Sequence, residues 1–280
     1  MSAIQQVLAS LGGIPWAGNL STGAYVGAFV IATQDTQPFH MELNEAGTVM
    51  YVVGITSNKI YQYNLSTPFL VTSATYASKA SPILTGYAGM SYPYSFCFSA
   101  DGTKVFICGS GSGGTTGIIR QWNLSTAWDI STATDASVTY SPPQISTSKA
   151  LIGSSLSPDG KYLYLGNNTD STVYQYTMST PFNLATISYT SKSYSVTGQT
   201  TSMYGIAISD NGKSLYIKSY NDSNVYQYDL STAWDISTAS YSSKSLSIGG
   251  LGLNLNKGGT NIYIAESGVT DEIRQYSLGN

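Results

Sequence analysis

Charge is scarce in this chain. Of 280 residues, 12 are Lys or Arg and 15 are Asp or Glu, giving a net charge of −3. Charged residues make up 10% of the sequence, against a usual ~25%. Basic residues this sparse and scattered form no stripe for a phosphate backbone, which excludes nucleic acid as a partner. His40 is the only histidine, so a His-rich metal site is excluded as well. Cysteine is limited to Cys97 and Cys108. They fall on neighbouring strands of one unit but not opposite each other, and two reduced, buried thiols are expected in place of a disulfide. Apolar runs such as Ala28–Ala32 are far below the ~20 residues of a membrane helix, so no membrane insertion is expected. Residues Met1–Gly13 have no basic region and only a broken apolar stretch, and no secretory signal is expected there.

What the chain does have is 23 tyrosines and an internal repeat. Tyr61-Gln62-Tyr63 returns as Arg120-Gln121-Trp122, Tyr174-Gln175-Tyr176, Tyr226-Gln227-Tyr228 and Arg274-Gln275-Tyr276. Before each lies a turn marker: Asn44-Glu45-Ala46-Gly47, Ser99-Ala100-Asp101-Gly102, Ser157-Pro158-Asp159-Gly160, Ser209-Asp210-Asn211-Gly212 and Asn256-Lys257-Gly258-Gly259. After most lies Leu-Ser-Thr, at Leu65, Leu124 and Leu230, with Met178 as a variant. Each unit reads as four short strands: an apolar strand A, an Asp-Gly-type turn, a strand B, a strand C carrying the Gln, and a weaker strand D. Four-stranded units at a period of about 50 residues mark propeller blades. The expected fold is all-β: a five-bladed β-propeller with four-stranded blades.

The fifth unit stops after its strand C. The N-terminus holds the missing piece, because Asn19-Leu20-Ser21-Thr22 matches the marker between C and D, and Ala24–Ala32 reads as a strand D. The last blade is therefore expected to close with the N-terminal strand, which removes the exposed edges. Residues 19–280 form the propeller, and residues 1–18 an extension with near-helical apolar spacing that would suit docking to a neighbouring subunit.

The stretches Gln34–Val52 and Val225–Tyr241 resemble the repeats of propeller proteins of bacteriophage virions and related bacterial surfaces. Ser157-Pro158-Asp159-Gly160-Lys161-Tyr162-Leu163-Tyr164 is similar to lactonase-like, YVTN-type propellers. The first and fifth units depart from the pattern at their turns. The virion resemblance implies a non-enzymatic structural or adhesion protein. Its partners would be other virion or surface proteins and host glycans. Its location would be the virion, made in the host cytoplasm, or the bacterial surface. No cofactor is expected.

Few residues stand out chemically. The repeat aligns His40 with Ser95, Gly153, Gly205 and Gly252, and Glu42 with Cys97, Ser155, Ala207 and Asn254. His40 and Glu42 lie on one face of a strand. They could transfer protons, but the favoured reading is a hydrogen-bonded pair buried at a seam between blades. No catalytic residue is assigned. Asp101, Asp159, Asp210 and Glu45 belong to the repeated turn, and Asp129 and Asp235 to the repeated C–D loop. The recurring Phe69, Trp128, Phe182 and Trp234 read as inter-blade packing. Lys79, Lys192 and Lys244 blunt an outer edge. Asp229 ends a strand C and Asp135 falls in an outer strand or loop, while most of the other acids map to the B–C loops and the D–A connection, which share one face of a propeller. Asn168, Asp170, Tyr220, Asp222, Glu266 and Asp271 on that face are the candidate ligand-binding set, for a sugar or a cation such as Ca²⁺; solvated loop charges are the plainer reading.

Two alternatives to the virion role stand. A propeller enzyme of lactonase or glycosidase type would need acids converging at the inner-strand starts, which here are Phe39, Tyr94, Leu151, Tyr204 and Leu251. An intracellular interaction scaffold is the other.

Overall fold

The computed structural model describes residues 18–87, 89–111, 116–145 and 150–279; the expected docking segment at 1–17 lies outside them. Five antiparallel four-stranded sheets surround a central axis. Strands A to D of blade 1 are Pro38–Leu43, Val49–Gly54, Lys59–Leu65 and Ala74–Ala80. Blade 2 has Met90–Phe98, Lys104–Gly111, Gly117–Leu124 and Ala133–Tyr140, and blade 3 has Leu151–Leu156, Tyr162–Asn167, Thr172–Met178 and Ile187–Ser195. Blade 4 has Met203–Ile208, Ser214–Ser219, Asn224–Leu230 and Ala239–Ser247. Blade 5 takes Leu253–Leu255, Asn261–Glu266 and Glu272–Gly279 from the end of the chain and Asn19–Val30 from its beginning. The two ends pair antiparallel, with Tyr25 opposite Tyr276, Ala28 opposite Arg274 and Val30 opposite Glu272. The closure read from the sequence is therefore the closure of the fold.

The repeated Gln fastens each blade to the next. In blades 1 to 4 a short 3-10 turn precedes strand D, and its first N–H has no partner within the turn; in blade 5 the equivalent N–H is that of Leu20, at the start of strand D. The Gln Oε1 of the preceding blade accepts it. Gln62 takes the Ile130 N–H at 3.1 Å, Gln121 that of Leu184 at 3.1 Å and Gln175 that of Ile236 at 2.9 Å. Gln227 takes Leu20 at 3.2 Å and Gln275 takes Val71 at 3.0 Å, which closes the circle. All five recipients are buried. Gln175→Ala strands a buried donor, and a loss of about 1–3 kcal/mol is expected, read as a lower denaturant midpoint at unchanged slope.

A second link runs from strand B. The Tyr51, Tyr164 and Tyr263 hydroxyls donate to the carbonyls of Trp128, Trp234 and Phe69 at 2.6, 2.9 and 2.9 Å. Blade 2 has Phe106 at this place, and Lys104 Nζ donates to the Phe182 carbonyl instead, at 3.0 Å. The C–D aromatics thus join blades through their backbone. Their rings pack between blades, as Trp128 does beside Tyr51, and also serve their own turn: Phe69, Trp128, Phe182 and Trp234 all sit at φ between 56° and 64° and lie flat on the turn glycines Gly47, Gly102, Gly160 and Gly212. A Cβ on those glycines would fall within 2.5 Å of the ring, which is why the turn requires glycine. Lys79 and Lys192 do more than blunt an edge, since each reaches the next blade at 2.6 Å, to Asp129 and Asp235.

Candidate functional site

The inner strands decide the shape of the channel. At the level of His40 the aligned residues are small, and the backbones come close. A Cβ on Gly252 would meet the Phe39 carbonyl oxygen at 2.1 Å, and one on Gly205 would meet Leu253 N at 2.9 Å. Beyond that level Phe39, Ile152 and Leu251 form an apolar plug, with Tyr94 and Tyr204 packed against it. The channel is thus closed towards the B–C loops. Towards the A–B turns it stays open as a cavity of about 740 Å³, within the ~300–1,000 Å³ of small-molecule sites.

The cavity has three levels. Its floor holds His40, Glu42, Cys97, Ser154, Ser155 and Asn254. Its wall is Leu43, Phe98, Leu156, Ile208 and Leu255, one residue from each blade. Its rim is made by the A–B turns, with Glu45, Asp101, Asp210 and Lys257. Asp101 and Asp159 serve their turns by accepting from Ser99 and Ser157 hydroxyls and from the following backbone. In blade 4 Asn211 takes that duty. Asp210 is left to accept from Gly258 N of blade 5 at 3.2 Å, beside the Lys257–Glu45 ion pair at 3.2 Å.

Strand A is an edge, so its inward backbone groups have no ladder partner. Side chains of the preceding blade supply one. Ser155 Oγ accepts from Ile208 N at 3.1 Å, and Glu42 Oε2 accepts from Phe98 N at 3.1 Å. Burial raises the Glu42 carboxyl to about 8, against the lowering effect of that N–H. A neutral acid therefore sits at the cavity floor at pH 7. Burial lowers His40 to about 4, opposed by its hydrogen bond to the Phe96 backbone, so the imidazole is uncharged. Each residue bonds on its own to the backbone of blade 2, His40 to Phe96 and Glu42 to Phe98 N, and both line the cavity. Cys97 and Cys108 are free and buried, with Cys108 opposite Ser95 and Cys97 opposite Phe106. Burial pushes the Cys97 thiol well up and Cys108 to about 12.

Two opposite pH dependences follow. The folded state holds the Glu42 proton between its ordinary 4.5 and about 8, while the unfolded state has lost it, so stability falls as pH rises through that window. His40 is protonated only in the unfolded state between about 4 and 6.5, so its contribution rises with pH there. The two offset below pH 6.5, and from pH 6.5 to 8 a fall of up to ~1.4 kcal/mol per pH unit remains. Denaturant melts should show this slope in the wild type and its loss in Glu42→Gln.

The residues singled out from the sequence lie at the closed end, away from the cavity. Tyr174 donates to Asp170 at 3.0 Å. Asp222 is pushed up by burial, but hydrogen bonds from Ser219, Tyr226 and Asn224 outweigh this and bring it to about 2. Glu266 stands 3.1 Å from Arg274 Nη1, and Asp271 accepts from Gly268 N at 3.0 Å. Tyr220 stacks on Tyr204 with centroids 4.8 Å apart, and Asn168 hydrogen-bonds the Tyr204 side chain. Each carboxylate is bonded within its own hairpin. Among the described residues no group of three or more His, Cys, Asp or Glu side chains converges as a metal centre, so the donor set does not fit a resident calcium ion held by carboxylates. Lys218 is also at this end, fully buried; burial lowers it to about 8 against the pull of Asp222 and Glu266. Asp35, in the D–A connection, accepts from Gln37 N, Ser57 N and Ser57 Oγ at 2.8, 2.8 and 2.5 Å and so anchors its loop.

No family model matches the chain, and no curated protein matches it in sequence. Solved structures do match in fold. A candidate 6-phosphogluconolactonase from Bacteroides uniformis is similar at 15% identity and TM-score 0.52, over 86% of this chain and 68% of that one. The calcium-binding protein regucalcin from Agrobacterium tumefaciens is similar at 10% identity and TM-score 0.54, over 91% and 96%. A luciferin-regenerating enzyme gives the same four values. The chain is structurally similar to lactonase-like β-propellers. Likeness at these identities establishes a shared fold.

These neighbours overturn the expectation of a non-enzymatic virion or adhesion component. Two of these three carry enzyme names, and none is named as a virion or adhesion protein. No acid stands at the starts of the inner strands. One faces the cavity near the end of strand A, at Glu42. Its signal was present in the repeat alignment, where one glutamate replaces Cys, Ser, Ala and Asn.

Proposed function

We propose that this chain is a hydrolase that opens neutral lactones, with the channel cavity as active site and Glu42 as its proton donor. One observation carries the reading: a carboxyl held neutral at pH 7 on the floor of a cavity plugged at one end and open at the other, where perturbed acids mark functional sites. Water adds to the lactone carbonyl carbon, and the ring C–O bond breaks. Glu42 gives its proton to the leaving ring oxygen and recovers one from the attacking water, which leaves a hydroxy acid. His40, uncharged, adds no cation to the floor. Glycoside hydrolysis fits less well, because it needs two carboxyls flanking the bond at roughly 5–9.5 Å, and Glu42 is the one carboxyl among the floor residues.

The fold neighbours include a candidate phosphogluconolactonase, but the rim here disfavours a phosphorylated substrate. Glu45, Asp101 and Asp210 face the entrance, and its one lysine is already paired with Glu45. Like charges at a mouth repel an anionic ligand. A panel of γ- and δ-lactones followed by acid release tests this. Neutral lactones should be opened, with kcat/KM at least about tenfold above a phosphorylated sugar lactone. Failure to open any neutral lactone would overturn the proposal.

A further inference from the structure

The floor and the wall of the cavity differ in a way that general lactone hydrolysis does not require. The last strand-A position before each turn is apolar in all five blades: Leu43, Phe98, Leu156, Ile208 and Leu255. All five line the cavity. Leu43, Leu156 and Leu255 are only partly buried, while Phe98 and Ile208 pack into the core between blades, so this collar presents mainly leucine surface to whatever enters. One residue deeper, at Glu42, Cys97, Ser155, Ala207 and Asn254, the ring is mostly polar. Phe69, Trp128 and Phe182 extend the apolar surface outwards beside the turns. The cavity is therefore amphipathic along its own axis. Its polar end is the blind end, and its apolar belt lies between that end and the solvent.

A sugar-acid lactone carries hydroxyls around its ring, and these would face the collar without partners while the collar stayed wet. A lactone ring with a single aliphatic tail fits both levels, since the ring reaches Glu42 and the tail runs back through the collar to the mouth. We infer that the ligand of this cavity is an alkyl- or acyl-substituted lactone, its ring on the polar floor and its tail against the five-residue apolar collar. The word lactone here rests on the hydrolysis proposed above, whereas the tail rests on the collar alone.

The tail can be tested without turnover. Non-hydrolysable γ-lactams carrying alkyl groups from methyl to hexyl are titrated into the protein by calorimetry, beside kcat/KM for the matching γ-lactones. Affinity for the lactams should rise about two- to fourfold per methylene while the tail lies in the collar and level off once it passes the rim. Leu255→Asn and, separately, Leu156→Asn should flatten the lactam series. Both positions are partly exposed, so both variants should fold. Lactam affinity that does not change with chain length overturns the inference, whatever the hydrolysis rate. A steep lactam series with no lactone opened supports the tail site and counts against hydrolysis alone.

Discussion

Glu42→Gln is expected to lower lactone turnover by about 10²- to 10⁴-fold, the usual worth of a positioned proton donor, while the protein stays folded. The substitution separates the two jobs of this side chain. A glutamine keeps an oxygen that can accept the Phe98 N–H, now taken by Glu42 Oε2 at 3.1 Å, and its volume is the same. What it loses is the acidic proton. The loss should fall on kcat with little change in KM, because the group acts as the ring oxygen leaves. The wild-type rate should fall as pH passes about 8, where Glu42 ionises, and the variant should lack that limb. Glu42→Leu is the contrasting case: it also removes the Phe98 partner, so its loss of activity should come with a loss of stability.

Deleting residues 1–34 should abolish folding of the monomer. The strand at Asn19–Val30 completes blade 5, and its removal leaves Glu272–Gly279 as a bare edge. It also takes away Leu20, which is fully buried and whose N–H satisfies Gln227, and the Gly18 carbonyl that the Tyr216 hydroxyl reaches at 2.6 Å. The Gln and Tyr links from blade 4 to blade 5 are lost together. Size-exclusion chromatography and thermal melts should show an aggregated or unfolded product, with recovery when a peptide spanning residues 18–34 is supplied in trans. A truncated chain that remained monomeric with an unchanged melt would contradict the closure.

Much of this architecture was legible in the repeat. Five copies of the Gln marker and the turn marker gave the blade count, and the short fifth unit gave the closure, because each recurring residue performs one task five times. Gln62 and its four equivalents recur since every blade must satisfy the same orphan N–H of its neighbour. The site was harder to read for the same reason, since function sits where the repeat is broken. His40 and Glu42 stood out in the alignment, but the sequence does not say which end of the channel is plugged. That depends on Phe39, Ile152 and Leu251 meeting across the axis, a contact among residues far apart in the chain. Asp170, Asp222 and Glu266 look available in the sequence because they fall in loops; in the fold each is bonded to a Tyr or Arg nearby in sequence.

The titration of Glu42 itself is the most direct test of the cavity as an acid-bearing site. Infrared difference spectra between the wild type and Glu42→Gln isolate the carboxyl band. The expected result is a protonated C=O band at pH 7 that gives way to carboxylate as pH passes about 8. A carboxylate band already present at pH 7, with protonation only near the ordinary 4.5, would contradict it.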